Sequence, residues 1–165
     1  MSTRSYIGFT DTQSDPPENY HIYCHSDGYL AYVGKMLYEH YNSLTNAKQI
    51  TELGDLSWLG YTLNPPCTGL DAPLDEKIKN AEAMLNGTFS YHRDRGVPKE
   101  RTHREWFKDI DTLYTTIEGD PYIEYIYIFD ASQDEWVVRV NKPGTIPRTL
   151  KYMNDHDWKE SLLYP

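Results

Sequence analysis

Residues 122–140 read YIEYIYIFDASQDEWVVRV, and this stretch decides the fold. Aromatic and β-branched residues crowd positions 122–130, Ala131–Asp134 have turn composition, and EWVVRV (135–140) supplies the returning strand of a hairpin. Just upstream the period changes. Trp106, Ile110, Leu113 and Ile117 fall on one stripe, Phe107 and Tyr114 broaden it, and Gly119 closes it, which predicts a helix delivered straight into the hairpin. Downstream, KPGTIP reads as turns and DWKESLL as a short closing helix.

The front of the chain repeats the alternation of strand and helix. RSYIGFT (4–10) and YHIYCH (20–25) predict two strands of a hairpin, joined through the Pro-rich loop DTQSDPPEN and ended by Asp27-Gly28. Leu30, Val33, Leu37 and Tyr41 recur at helical spacing, with Gly34 inside the stripe where a neighbour could approach closely. Ala47, Ile50 and Leu53 mark a second helix stopped by Gly54, and Leu56, Trp58 and Leu59 read as a core plug. After the proline-bearing loop 60–74, DEKIKNAEAMLNG predicts a third helix and TFSYH (88–92) another strand. These elements predict one α+β domain over 1–165, a mainly antiparallel sheet of about five strands with three to four helices packed on one face. Its parts are a hairpin at 4–25, a helical layer at 29–86, a strand–helix–hairpin unit at 88–140 and a tail at 141–165.

Composition narrows the function classes. With 39% hydrophobic residues and a mean hydropathy of −0.72, the 165-residue chain must build its core economically, and 15 tyrosines supply much of the bulk. Acidic residues number 25 against 16 basic, a net charge of −9, which repels phosphate backbones and argues against direct nucleic-acid binding. An acidic surface suits a basic partner instead. Cys24 and Cys67 lack CxxC spacing, which indicates neither a zinc knuckle nor a disulfide framework, and no run is long and apolar enough to span a bilayer. The expected home is a reducing cytoplasm.

Two corners carry the chemistry-bearing residues. Tyr23, His25, Asp27 and Tyr29 surround the first His-x-Asp; His92, Arg93, Asp94 and Arg95 form the second. Brought together, they could bind a small nucleotide-like ligand or, as a cryptic hydrolase or metal site, supply acid–base groups. The structural alternative has Asp27 capping the helix that follows and Asp94 fixing a turn beside Gly96. Cys24 beside His25 reads as a small buried hydrophobe rather than a nucleophile, because strand neighbours point to opposite faces. No catalytic residue, cofactor or metal is assigned. The nucleotide-binding and kinase signatures are missing or incomplete.

Two charged sets remain. His92, Arg93, Arg95, Lys99, Arg101, His103 and Arg104 form a basic island that could hold phosphate or could simply be solvated. Glu105, Asp109, Asp111, Glu118 and Asp120, with Asp71, Asp75, Glu76 and Glu82, could give a partner-binding surface that imitates phosphate spacing.

MSTRSYIGF, IYCHSDGYLAYVGKMLYEHY, YHRDRG and YIEYIYIFD with the later WVV resemble a family of small proteins common in bacteriophages and bacterial mobile elements. The resemblance covers most of the chain outside the DTQSDPPEN loop, the 60–86 region and the tail. It carries over no catalytic residues. It implies a phage or mobile-element product acting in the host bacterial cytoplasm; by analogy with the small acidic accessory proteins of that setting, such as anti-CRISPR and antirestriction proteins, the expected role is to bind and inhibit a nucleic-acid-handling defence component. Such a protein is expected to be non-enzymatic.

Overall fold

A computed structural model describes residues 2–65 and 86–165. The helix expected over DEKIKNAEAMLNG and the residues Asp71, Asp75, Glu76 and Glu82 fall outside the described residues, except for Asn86 and Gly87 at the end of that stretch.

The two expected hairpins form and become the centre of a larger sheet. Strands β1 (Ser5–Asp11) and β2 (Glu18–Cys24) pair antiparallel, as do β6 (Tyr125–Asp130) and β7 (Glu135–Val140). β1 then pairs parallel with β6, which joins the two hairpins into one sheet. Short strands extend both edges: β3 (Leu56–Trp58) and β4 (Phe89–Ser90) beyond β2, and β8 (Arg148–Thr149) beyond β7. A further pair of residues, β5 (Glu105–Trp106), also lies against β2. The sheet therefore has eight strands and is mixed, since β2–β3 is parallel as well. The expected core plug at 56–59 is instead strand β3, although Leu56 and Leu59 are buried as expected.

Helices cover both faces, which corrects the one-sided packing expected from the sequence. On the first face, Ile7, Phe9, Ile22, Tyr127, Phe129 and Trp136 meet α1 (Lys35–His40, continued from a π-helical turn at Leu30–Gly34), α2 (Leu44–Glu52) and α5 (Leu150–Asp155). Gly34 admits the Trp158 ring, which would lie 3.2 Å from a Cβ at that position. On the second face, Ile126 and Ile128 pack with Leu113 and Tyr114 of α4 (Ile110–Ile117) and with Phe107. The cause is visible in YIYIF: both alternating sets of side chains are apolar, the mark of a central strand buried on two sides. Burial contributes roughly 1.5–3 kcal/mol per large aliphatic side chain, so the second face needs a cover too.

α4 is shorter than the stripe suggested. Asp109 accepts a hydrogen bond from the Thr112 N–H at 2.7 Å and starts the helix there, so Trp106 and Phe107 belong to the segment before it. That segment, with the short α3 (Lys99–Thr102), is a strap crossing the outer edge of β2.

Candidate functional site

The two His-x-Asp corners lie on either side of β3. His25 and Ser26 continue the pairing of β2 through hydrogen bonds from their N–H groups to the carbonyls of Leu56 and Ser57, each 3.0 Å. Ser57 Oγ also accepts from Arg95 at 3.3 Å. The corners are thus linked through one strand, yet each is occupied with its own structure. His25 Nδ1 is 2.6 Å from the Tyr23 hydroxyl. Asp27 sits at φ 56° and does not cap: Tyr29 is the N-cap residue and lends no side-chain bond, which corrects the expected role of Asp27. Asp94 does fix its turn, accepting from the Ser90 N–H at 2.7 Å and from Arg93. Arg93 further donates to the carbonyls of Leu63 and Thr88, at 2.6 and 2.7 Å, so its guanidinium is a structural staple rather than a free anion ligand. Among the described residues, no three His, Cys, Asp or Glu side chains converge as a cation would require. Cys24 is fully buried, and burial pushes its thiol up to about 12, so it remains a protonated, inert thiol at neutral pH.

A different cluster occupies the second face of the sheet. β2 shares its outer edge between two short strands, β3 at Cys24 and β5 at Tyr20 and His21. At the gap between them the Tyr23 N–H donates to Asp55 Oδ1 at 2.9 Å. Asp55 is a junction, because its own N–H donates to Thr102 O and its carbonyl accepts from the Tyr91 N–H. Burial, with Glu105 nearby, raises the Asp55 carboxyl to about 6, while the Tyr23 N–H pulls the other way.

His21 projects beside it, only 6% exposed, against the Tyr6 ring at 4.3 Å and Phe107 at 6.0 Å. Its Nδ1 is buried without a partner. Burial lowers it to about 4, even though Glu105 lies 3.9 Å from Nε2. That carboxylate is largely in water and beyond hydrogen-bond length, so desolvation wins. Tyr6, His21, Tyr23, Asp55 and Glu105 enclose a small cavity of about 150 Å³. It adjoins a groove of about 290 Å³ between β5 and α4, floored by Tyr6, Phe107, Leu113 and Ile117. Trp106 stands at its edge, 61% exposed. Nothing in the sequence pattern singled out Asp55, because its position depends on the gap between two edge strands.

The acidic residues divide in this setting. Glu118 pairs with Arg139 at 2.8 Å, Asp120 accepts from the Tyr122 N–H, and Asp109 caps α4, its carboxyl held low by the Thr112 N–H. Glu105 and Asp111 remain exposed, and Asp109 adds its charge at the start of the same helix. The result is an apolar groove with one carboxylate, Glu105, and one cation, Lys108, in its wall.

No protein-family model, curated protein or solved structure matches this chain. No helix among the described residues is long and apolar enough to cross a membrane.

Proposed function

We propose that this protein is a non-enzymatic phage or mobile-element accessory protein that binds and inhibits a basic, nucleic-acid-handling component of host defence. The observation that carries this reading is Trp106, an indole 61% exposed beside an apolar groove. Trp is the residue most enriched among energetic anchors of protein interfaces, and a soluble chain gains nothing for folding by presenting one to water. Glu105 stands in the groove wall and the exposed Asp109 and Asp111 follow it in the chain, negative charges of the sign that a nucleic-acid-binding partner would meet. The net charge of −9 steers such a partner from a distance and keeps nucleic acid itself away.

The test uses cells that carry a defined restriction or CRISPR system and express the full chain, challenged with a sensitive phage. Plaquing efficiency should rise with the wild-type chain and fall back with Trp106→Ala or Glu105→Lys, both made at exposed positions and checked for an unchanged melting temperature. Equal protection by Trp106→Ala would remove the groove as the contact. No protection against any system tried would remove the inhibitor reading itself.

A further inference from the structure

The largest of the described cavities lies elsewhere, about 470 Å³, between the end of α2 and the strap at 98–104. We propose that it binds a small phosphate-bearing ligand, with Arg104 and Lys99 as the principal contacts.

Charge is the first ground. The cleft is lined by three fixed cations, Arg93, Lys99 and Arg104, and one carboxylate, Glu52; with Arg93 paired to Asp94, a local charge of +1 remains in a chain of −9. Arg93 is held by Asp94 and two carbonyls, but no ion pair among the described residues engages Lys99 or Arg104. The Arg104 guanidinium lies 3.9 Å over the Tyr20 ring. Stacking fixes its plane and leaves its N–H edge available, the arrangement that matches phosphate oxygens in pairs.

Two imidazoles add to the lining. His92 Nδ1 is 2.9 Å from Val97 O and His103 Nδ1 is 3.0 Å from Glu100 O, so each Nδ1 carries the hydrogen and each Nε2 is left for another partner. The negative end of α2 and Glu52 oppose an anion here, but they do not cancel two free cations.

Preorganisation is the second ground, and it separates this cleft from a solvated loop. Gly54 has φ 77°, and a Cβ there would lie 2.2 Å from Thr102 O. The adjacent Asp55 N–H donates to that same oxygen at 2.7 Å. The cationic wall is therefore clamped to the end of α2 before any ligand arrives. A volume of about 470 Å³ suits a mononucleotide-sized molecule, within the roughly 300–1,000 Å³ common for small-ligand sites.

The test is an amide chemical-shift titration of the full chain with inorganic phosphate, AMP and adenosine. Phosphate and AMP should give saturable shifts centred on Tyr20, Gly54 and residues 99–104, and adenosine alone none. AMP binding more tightly than phosphate would identify a nucleotide as the ligand; equal binding would identify the phosphate group alone as what is recognised. Lys99→Gln with Arg104→Gln should weaken both by about tenfold or more. Glu52→Gln, a milder change, should tighten both. The proposal is overturned if no phosphate-bearing probe saturates, if the shifts centre elsewhere, or if affinity is indifferent to both variants.

Discussion

Acidification should expose the cost of burying His21. The perturbation is a drop from pH 7.5 to pH 4.5, applied in parallel to the wild-type chain and to His21→Gln. In the unfolded chain the imidazole takes up its proton near the ordinary value of 6.5; in the fold, burial delays uptake to about 4. Between those values the unfolded state binds more protons than the folded one, so stability is lost as the pH falls through 6.5 toward 4. At pH 4.5 the displacement corresponds to about 2.5 kcal/mol, and at pH 7.5 to almost nothing. His21 is nearly excluded from water, so solvent screening does not reduce this much. Urea denaturation followed by tryptophan fluorescence reads it directly. With a slope of about 2 kcal/mol per molar urea, the wild-type midpoint should fall about 1.2 M further than that of the variant. The variant has a lower baseline because it loses the stack on Tyr6, but only the difference between the two pH values matters. Parallel falls in the two chains would refute the reasoning. They would mean that Glu105 closes its 3.9 Å gap and pairs with a protonated His21.

Asp55 should behave in the opposite sense. Its carboxyl is raised to about 6, so the folded state keeps a proton that the unfolded state releases, and stability falls as pH rises from about 4 to about 6. The full shift corresponds to about 3 kcal/mol, but water reaches the group, and about 1 kcal/mol is the expected net figure. Asp55→Asn, which still accepts from the Tyr23 N–H, should therefore melt higher than wild type at pH 7.5 and match it at pH 4. Arg93→Ala should lower stability by about 1–3 kcal/mol in urea denaturation, because the carbonyls of Leu63 and Thr88 lose their donor. An unchanged midpoint would return Arg93 to the surface.

The sheet's centre was legible because its hairpins are local. β1–β2 and β6–β7 each pair strands adjacent in the chain, across a Pro-rich loop and a tight turn respectively, so composition and turn residues suffice to find them. Gly34 and Gly54 were legible for the same reason: one sits inside an apolar stripe, the other just past one. What escaped is tertiary. The parallel pairing of β1 with β6 joins residues more than a hundred apart, and no local pattern announces it. The cover on the second face was written in YIYIF as apolar character on both strand faces, a signal easily taken for simple strand strength. Trp106 fits a helical stripe by spacing, but Asp109 followed by Thr112 marks the helix start and leaves Trp106 outside. α5 also had a readable start, since Thr149 accepts from the Tyr152 N–H. The basic island was visible as a run of charges, yet which of its members stay free depended on Asp94 claiming Arg93 and Tyr20 supporting Arg104.

One strap builds both proposed sites. Its first half, Lys99–Arg104, walls the cationic cleft; its second half supplies Glu105, Trp106, Phe107 and Lys108 to the apolar groove. The strap is pinned along its length. Thr102 O accepts from the Asp55 N–H, β5 pairs with Tyr20 and His21, and the Phe107 N–H donates to Asn19 O at 3.0 Å. The Asn19 side chain returns a bond to Lys108 O at 3.2 Å, and Asp109 caps the helix beyond. Coupling between two sites needs an element with two arrangements that each ligand biases differently, and proximity along a chain does not supply one. A strap held at five successive points has a single arrangement in which all five bonds are made, and any shift breaks several at once. The two sites therefore act independently: Trp106→Ala should leave phosphate affinity unchanged, and saturating phosphate should leave the contact at Trp106 unchanged. The β5 pairing places Glu105 3.9 Å from His21 on the second face of the sheet, while Arg104, one residue earlier, lies over Tyr20.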